Sequence, residues 1–280
     1  MRGPNARANR AGGKVGDKVG ERSGDAGLAP SFAAMLRTSD GVRIDAAHTP
    51  NSSLDLGIVV AHGFTGSWRD RHSRRIVHVL SGFGGVVSFD FRGHGRSSGR
   101  TTVGDLEVLD VDAAVKHARS VGYRRIVTVG FSLGAAVVVR HAALYRGVDA
   151  VVSVSGPARW YYRGTKPMRQ VHWAIERWHG RLAARVVKGT RIASGTWDPV
   201  PLPPYRAAAL ITPVPLLVVH GDADPFFPLE HARQLYDNAA EPKELWIEPG
   251  YGHAETAATP ELIRKIGRWI REPNPDIGRL

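Results

Sequence analysis

Ile126-Val127-Thr128-Val129-Gly130-Phe131-Ser132-Leu133-Gly134 passes from a short β-branched, apolar run directly into a Gly-x-Ser-x-Gly pentapeptide, and residues 135–145 continue with helical spacing. The apolar run does not alternate with polar residues. It therefore reads as a strand covered on both faces, as in a parallel sheet. A serine at a sharp strand-to-helix turn has its hydroxyl lifted clear of the sheet, and flanking glycines remove the side chains that would clash there. A serine hydroxyl is a poor nucleophile until a base takes its proton. The helix that follows adds positive potential at its N-terminus, where negative charge would develop. Ser132 is the candidate nucleophile.

The flanking sequence repeats the same alternation. Residues 32–38 and 42–47 bracket Ser39-Asp40-Gly41, and the Asp-Gly pair predicts a hairpin turn. Strands are predicted at 57–61, 86–89, 126–129, 151–154, 216–219 and 245–247, and helices at 70–81, 105–121, 135–145, 229–239 and 261–270. Strand and helix in turn imply a mostly parallel sheet of about eight strands with helices on both faces. No internal repeat is present.

A serine nucleophile of this kind needs an acid and then a histidine, in that order along the chain. Two late strands each run into a loop with the required residue type. Residues 216–219 lead to His220-Gly221-Asp222-Ala223-Asp224-Pro225, and residues 245–247 lead to Glu248-Pro249-Gly250-Tyr251-Gly252-His253. His253 is the candidate base, and either Asp222 or Asp224 can be the acid.

His62-Gly63-Phe64, Asp90-Phe91-Arg92-Gly93-His94-Gly95, Gly130 to Gly134, Gly221 to Asp224 and Gly252-His253 together resemble an α/β-hydrolase of the small serine esterase and lysophospholipase-like kind. The likeness runs from about Ser31 to Ile270. It implies the α/β-hydrolase fold and the triad Ser132, Asp224 and His253, with Asp224 chosen because the family places its acid second in the G-x-x-D turn. Asp222 is then a turn residue bonding nearby amides. It also implies an oxyanion hole built from the backbone N–H groups of Phe64 and Leu133. His62, Arg92 and His94 are read as turn architecture. The implied chemistry is cleavage of a small-molecule carboxylic ester through an acyl-enzyme, with no cofactor and no metal. Acyl transfer, thioester cleavage and C–C hydrolysis use the same constellation. A non-catalytic binding protein on this fold would usually lack a triad member, and none is missing here.

Between Pro157 and Pro215 the alternation stops. Residues 157–205 are rich in aromatic and basic residues, with Trp160, Trp173 and Trp178 as candidate pocket or lid residues, and few acids. This shift predicts an inserted helical lid within a domain spanning 31–280. The chain of 280 residues carries a formal net charge of +12 and no cysteine, which excludes disulfides, thiolate metal sites and a cysteine nucleophile. The basic excess fits solubility and an arginine-favouring genome, or attraction to anionic surfaces such as a membrane. No nucleic-acid-binding module is recognisable. Residues 1–30 read as a disordered basic tail without the apolar stretch of a secretory signal, and a cytoplasmic location is expected.

Competing chemistries lack their residues. Relatives on this fold that use an aspartate nucleophile would carry it where Ser132 stands. His-Glu-x-x-His and the P-loop pattern are absent. Gly82-Phe83-Gly84-Gly85 precedes a strand and opens no helix, so it makes a poor dinucleotide fingerprint.

Overall fold

The computed structural model describes residues 30–272, so the tail expected over residues 1–30 lies outside the described residues except for Pro30. Eight strands form one sheet: β1 (Phe32–Arg37), β2 (Arg43–Thr49), β3 (Leu56–Ala61), β4 (Gly85–Phe89), β5 (Arg125–Phe131), β6 (Ala150–Val154), β7 (Leu216–Gly221) and β8 (Lys243–Glu248). Their order is β1-β2-β4-β3-β5-β6-β7-β8. β2 runs antiparallel to both β1 and β4, and every pairing from β4 across to β8 is parallel.

The apolar runs lack alternation because both faces are covered. Val59 and Ala61 of β3 belong to one core, with α2 (Glu107–Val121) and α3 (Leu133–Tyr145). Ile58 and Val60 belong to the other, with α1 (Arg71–Leu80) and α9 (Pro260–Arg271). Successive side chains point to opposite faces, so a strand buried on both must be apolar throughout.

β5 extends past its predicted end at Val129 to Phe131. The pairing to β6 persists through Phe131 and Val154, and Ser132 N–H then donates to the Val154 carbonyl at 2.9 Å. Hydrogen bonding, which composition does not reveal, thus carries the strand to the edge of the turn.

Between β6 and β7 lie α4 (Lys166–Glu176), α5 (Trp178–Lys188) and the short α6 (Pro204–Ala208). α4 buries none of its residues fully, and α5 buries only Gly180 and Ala184. A Cβ at Gly180 would stand 2.4 Å from the Trp173 carbonyl oxygen, so glycine is what permits the close approach of these two helices. α7 (Leu229–Asn238) and α8 (Ala254–Ala257) complete the element order. Among the described residues, no helix is long and apolar enough to cross a membrane.

Candidate active site

Ser132 sits between β5 and α3 with φ 50° and ψ −114°, a conformation a residue with a Cβ rarely adopts. Such strain costs on the order of 1–3 kcal/mol and persists only where surrounding structure enforces it. The two motif glycines show how. A Cβ on Gly130 would lie 2.3 Å from the Gly134 carbonyl oxygen, and one on Gly134 would lie 2.3 Å from that of Ala61. The turn therefore closes on itself and presses against the end of β3.

Three side chains from three strand ends converge. Ser132 Oγ lies 2.9 Å from His253 Nε2, and His253 Nδ1 lies 2.7 Å from Asp224 Oδ2. A carboxylate only accepts, so in the neutral ring Nδ1–H donates to Asp224 and Nε2 accepts from the serine hydroxyl. The Asp224 side chain is fully buried, whereas His253 keeps 13% exposure. Asp224 Oδ1 accepts from the N–H groups of Phe226 and Phe227 at 2.8 and 3.1 Å. Both of its oxygens are thus occupied, and the carboxylate is locked in orientation. Asp222 lies elsewhere: it is exposed, and its Oδ1 accepts from Gly250 N–H at 2.6 Å.

The loop after β3 faces the same serine. Leu133 opens α3, so its N–H has no carbonyl four residues back within the helix. Phe64 is half-buried and lines the same cavity as Ser132 and Leu133. Around Phe64 the backbone is fastened at several points. His62 Nδ1–H donates to the Gly63 carbonyl at 2.7 Å, Gly66 N–H donates to that same oxygen at 3.0 Å, and Thr65 N–H donates to His94 Nε2 at 3.2 Å. Phe91 N–H donates to His62 Nε2 at 3.1 Å. Burial holds both imidazoles neutral, with pKa values lowered to about 4; for His94 the neighbouring His62 adds to the effect. These two histidines brace the loop, and their hydrogen bonds go to the backbone of Gly63, Thr65, Phe91 and Arg92, not to Ser132.

A cavity of about 1290 Å³ opens over Ser132 and His253. Trp160 and Trp173 line it, whereas Trp178 does not and is 70% exposed. Trp160 Nε1–H donates to the Pro201 carbonyl at 3.0 Å, and its ring packs 5.3 Å from that of Trp197, which also lines the cavity. Composition marked the segment as aromatic but could not tell which face each ring takes. Among the described residues, no group of three or more His, Cys, Asp or Glu side chains is arranged to hold a metal.

Several residues at the site escape a reading of the sequence. Phe226 stacks on the His253 ring, and Glu255 accepts a hydrogen bond from Gly63 N–H. Phe226 follows the G-x-x-D turn and Glu255 follows the histidine loop, so their positions give a local signal. Their partners are visible only in three dimensions.

Comparison with known proteins bears on this arrangement. Residues 58–264 match the alpha/beta hydrolase family. The chain belongs to this family. Among its relatives is the monoacylglycerol lipase of Mycolicibacterium smegmatis, 31% identical, aligned over 79% of this chain and 90% of the lipase. The protein YfhR of Escherichia coli (strain K12) is 27% identical over 77% of this chain and 71% of its own length. Among solved structures, the Pyrococcus furiosus esterase Pf2001 superposes with a TM-score of 0.69 at 25% identity, covering 86% of this chain and 92% of the esterase. This alpha/beta hydrolase shares its overall fold with that esterase.

Proposed function

We propose that this alpha/beta hydrolase is a serine esterase acting through an acyl-enzyme. The observation that carries the reading is the unbroken relay from Asp224 Oδ2 through His253 to Ser132 Oγ, with contacts of 2.7 and 2.9 Å. In this scheme His253 Nε2 takes the Ser132 proton as Oγ attacks the ester carbonyl. Asp224 stabilises the imidazolium that forms. The Phe64 and Leu133 N–H groups hold the oxyanion, a contribution worth about 10²–10³ in kcat for a single donor in enzymes of this type. His253 then protonates the leaving alcohol, and water releases the acid by the reverse path. The names of the lipase and esterase relatives support an ester as substrate.

Thioester cleavage, C–C hydrolysis and transfer of the acyl group to an alcohol would use the same residues. Stopped-flow hydrolysis of p-nitrophenyl esters with and without added glycerol separates hydrolysis from transfer. A burst of one p-nitrophenol per chain, as one acyl group is left on the enzyme, with free acid as the main product in glycerol, is expected. No burst and no ester turnover would contradict the reading.

The α4–α5 pair is proposed as the lid, since both helices and Ser132 line one cavity. The outer face of α5 supports a surface role. Trp178, Leu182 and Val186 are 70%, 51% and 76% exposed and stand one turn apart, outside the cavity lining. α5 carries Arg185 and Lys188 and no acidic residue, while its Arg181 donates to the Ile175 and Glu176 carbonyls. An apolar ridge edged by cations suits an anionic lipid surface. Arg163 is instead paired with Glu176, and Arg169 donates to the Arg163 and Gly164 carbonyls. Replacing the three ridge residues by serine should abolish salt-sensitive binding to anionic vesicles and leave hydrolysis of a small soluble ester intact. Vesicle binding that survives those changes would remove the ridge from the account.

A further inference from the structure

We propose that Glu255 is a positioning residue for the oxyanion hole, fixing the Gly63 backbone so that the Phe64 N–H faces Ser132. The inference rests on the serine-esterase reading above and adds to it a residue that the triad does not include.

The His253 loop reaches the oxyanion loop through one side chain. A Glu255 carboxylate oxygen accepts from Gly63 N–H, a contact between residues 192 positions apart. The chain between His253 and Glu255 is bent sharply. Ala254 has φ 50°, its N–H donates to Ser155 Oγ at 3.1 Å, and its carbonyl accepts from Tyr251 O–H at 2.7 Å. This buried, strained residue sends His253 toward Ser132 and Glu255 toward Gly63. Backbone strain of this kind is retained where geometry elsewhere demands it.

Gly63 joins two peptide units of the oxyanion loop. The Phe64 N–H belongs to the peptide unit whose carbonyl is that of Gly63, and in a planar trans unit the two groups point in opposite directions. His62 and Gly66 hold that carbonyl at 2.7 and 3.0 Å. The preceding peptide unit carries Gly63 N–H, and Glu255 holds it. Between the two units stands a glycine, whose φ and ψ are unusually free. With both units tied, the glycine dihedrals are fixed and so is the direction of the Phe64 N–H. With Glu255 gone, one unit is released.

The carboxylate and Ser132 both flank Gly63. A Cβ built on Gly63 would be 3.2 Å from Glu255 Oε2 and 3.2 Å from Ser132 Cβ. Burial pushes the Glu255 carboxyl above the usual range, against the backbone N–H groups that favour its charge.

The test uses full-length Glu255→Ala, Glu255→Met and Glu255→Gln, with wild type and Ser132→Ala alongside. Each is assayed for steady-state hydrolysis of a soluble p-nitrophenyl ester and for inhibition by an alkyl trifluoromethyl ketone, whose hemiketal oxyanion occupies the hole. Glu255→Ala and Glu255→Met should lower kcat by about 10–100-fold with KM within about threefold, somewhat less than outright loss of a donor. Ketone inhibition should weaken by the factor lost in kcat/KM. Glu255→Gln, whose amide oxygen still accepts from Gly63 N–H, should recover most of the loss. Methionine fills the space without that acceptor, so it carries the test if the alanine variant does not fold. The inference is overturned if folded Glu255→Met keeps kcat and ketone inhibition within threefold of wild type, or if glutamine is as damaging as methionine. Ser132→Ala separates the failures: an inactive Ser132→Ala beside fully active Glu255 variants sinks this inference alone, whereas an active Ser132→Ala sinks the esterase reading itself.

Discussion

The ring of Phe226 stacks on that of His253, with centroids 4.2 Å apart and planes inclined by 26°. The same residue donates its N–H to Asp224 Oδ1 at 2.8 Å. One residue thus touches both the base and the acid, through its side chain and its backbone respectively. The stack limits rotation of the imidazole about the axis that would carry Nε2 away from Ser132.

Phe226→Ala should therefore lower kcat/KM by about tenfold, the scale of loss expected when a catalytic group is slightly misplaced. The loss should be equal for short and long acyl esters. Phe226 also lines the cavity. If its only role were to contact substrate, the loss would grow with acyl length, and a chain-length series in the variant distinguishes the two.

The two aspartates of the turn after β7 should differ sharply. In Asp224→Asn the one amide oxygen is held by the Phe226 and Phe227 N–H groups, an amide N–H faces His253 Nδ1 and the charge is lost, so the tautomer is wrong and kcat should fall by about 10³–10⁴-fold. Asp222→Asn keeps an oxygen for Gly250 N–H and should stay within about threefold of wild type. Steady-state kinetics on folded variants checks the ranking; the opposite order would make Asp222 the acid.

How far these roles can be read from the residue string depends on the range of the contacts. The Gly130 to Gly134 turn is a local device, and the unalternating strands report burial on two faces, so the sheet and the elbow were legible. Asp224 and His253 stand out because each follows a late strand in the required order. The brace between His94 and Thr65, the stack of Phe226 on His253 and the bond from Gly63 to Glu255 were not legible. Each joins segments that only the folded sheet brings together. The Trp-rich segment stood out in composition as a break in the alternation. Which ring faces inward depended on how α4 and α5 pack, so Trp160 and Trp173 line the cavity while Trp178 faces outward.

Stability should fall on the acid side because of the buried histidines. His62, His94 and His231 have pKa values lowered to about 4, chiefly by burial. An unfolded histidine binds its proton near pH 6.5. Between about pH 6.5 and 4 the unfolded chain therefore holds protons that the native chain refuses, and stability is lost as pH falls. Each such group contributes up to about 1.4 kcal/mol per pH unit. Asp90, Asp110 and Glu255, raised by burial, act with the opposite sign, and Asp110, pushed up to about 7, does so across the same window. Urea denaturation of wild type and His94→Gln at pH 5 and 7 isolates one term. The variant should lose less stability between the two than wild type does. An equal or greater loss would mean that His94 is not the buried neutral group described here.

The most direct measurement is the fate of Ser132. Purified Ser132→Ala, shown to be folded by circular dichroism and thermal unfolding, is compared with wild type for hydrolysis of a p-nitrophenyl ester and for covalent labelling by a fluorophosphonate. Wild type should hydrolyse the ester and take up one label per chain on the peptide containing Ser132. The variant should lose labelling and at least about 10³-fold in kcat, the residue being left only with what the oxyanion hole and binding supply. Labelling at another residue, or near-wild-type turnover in a folded Ser132→Ala protein, would contradict the account.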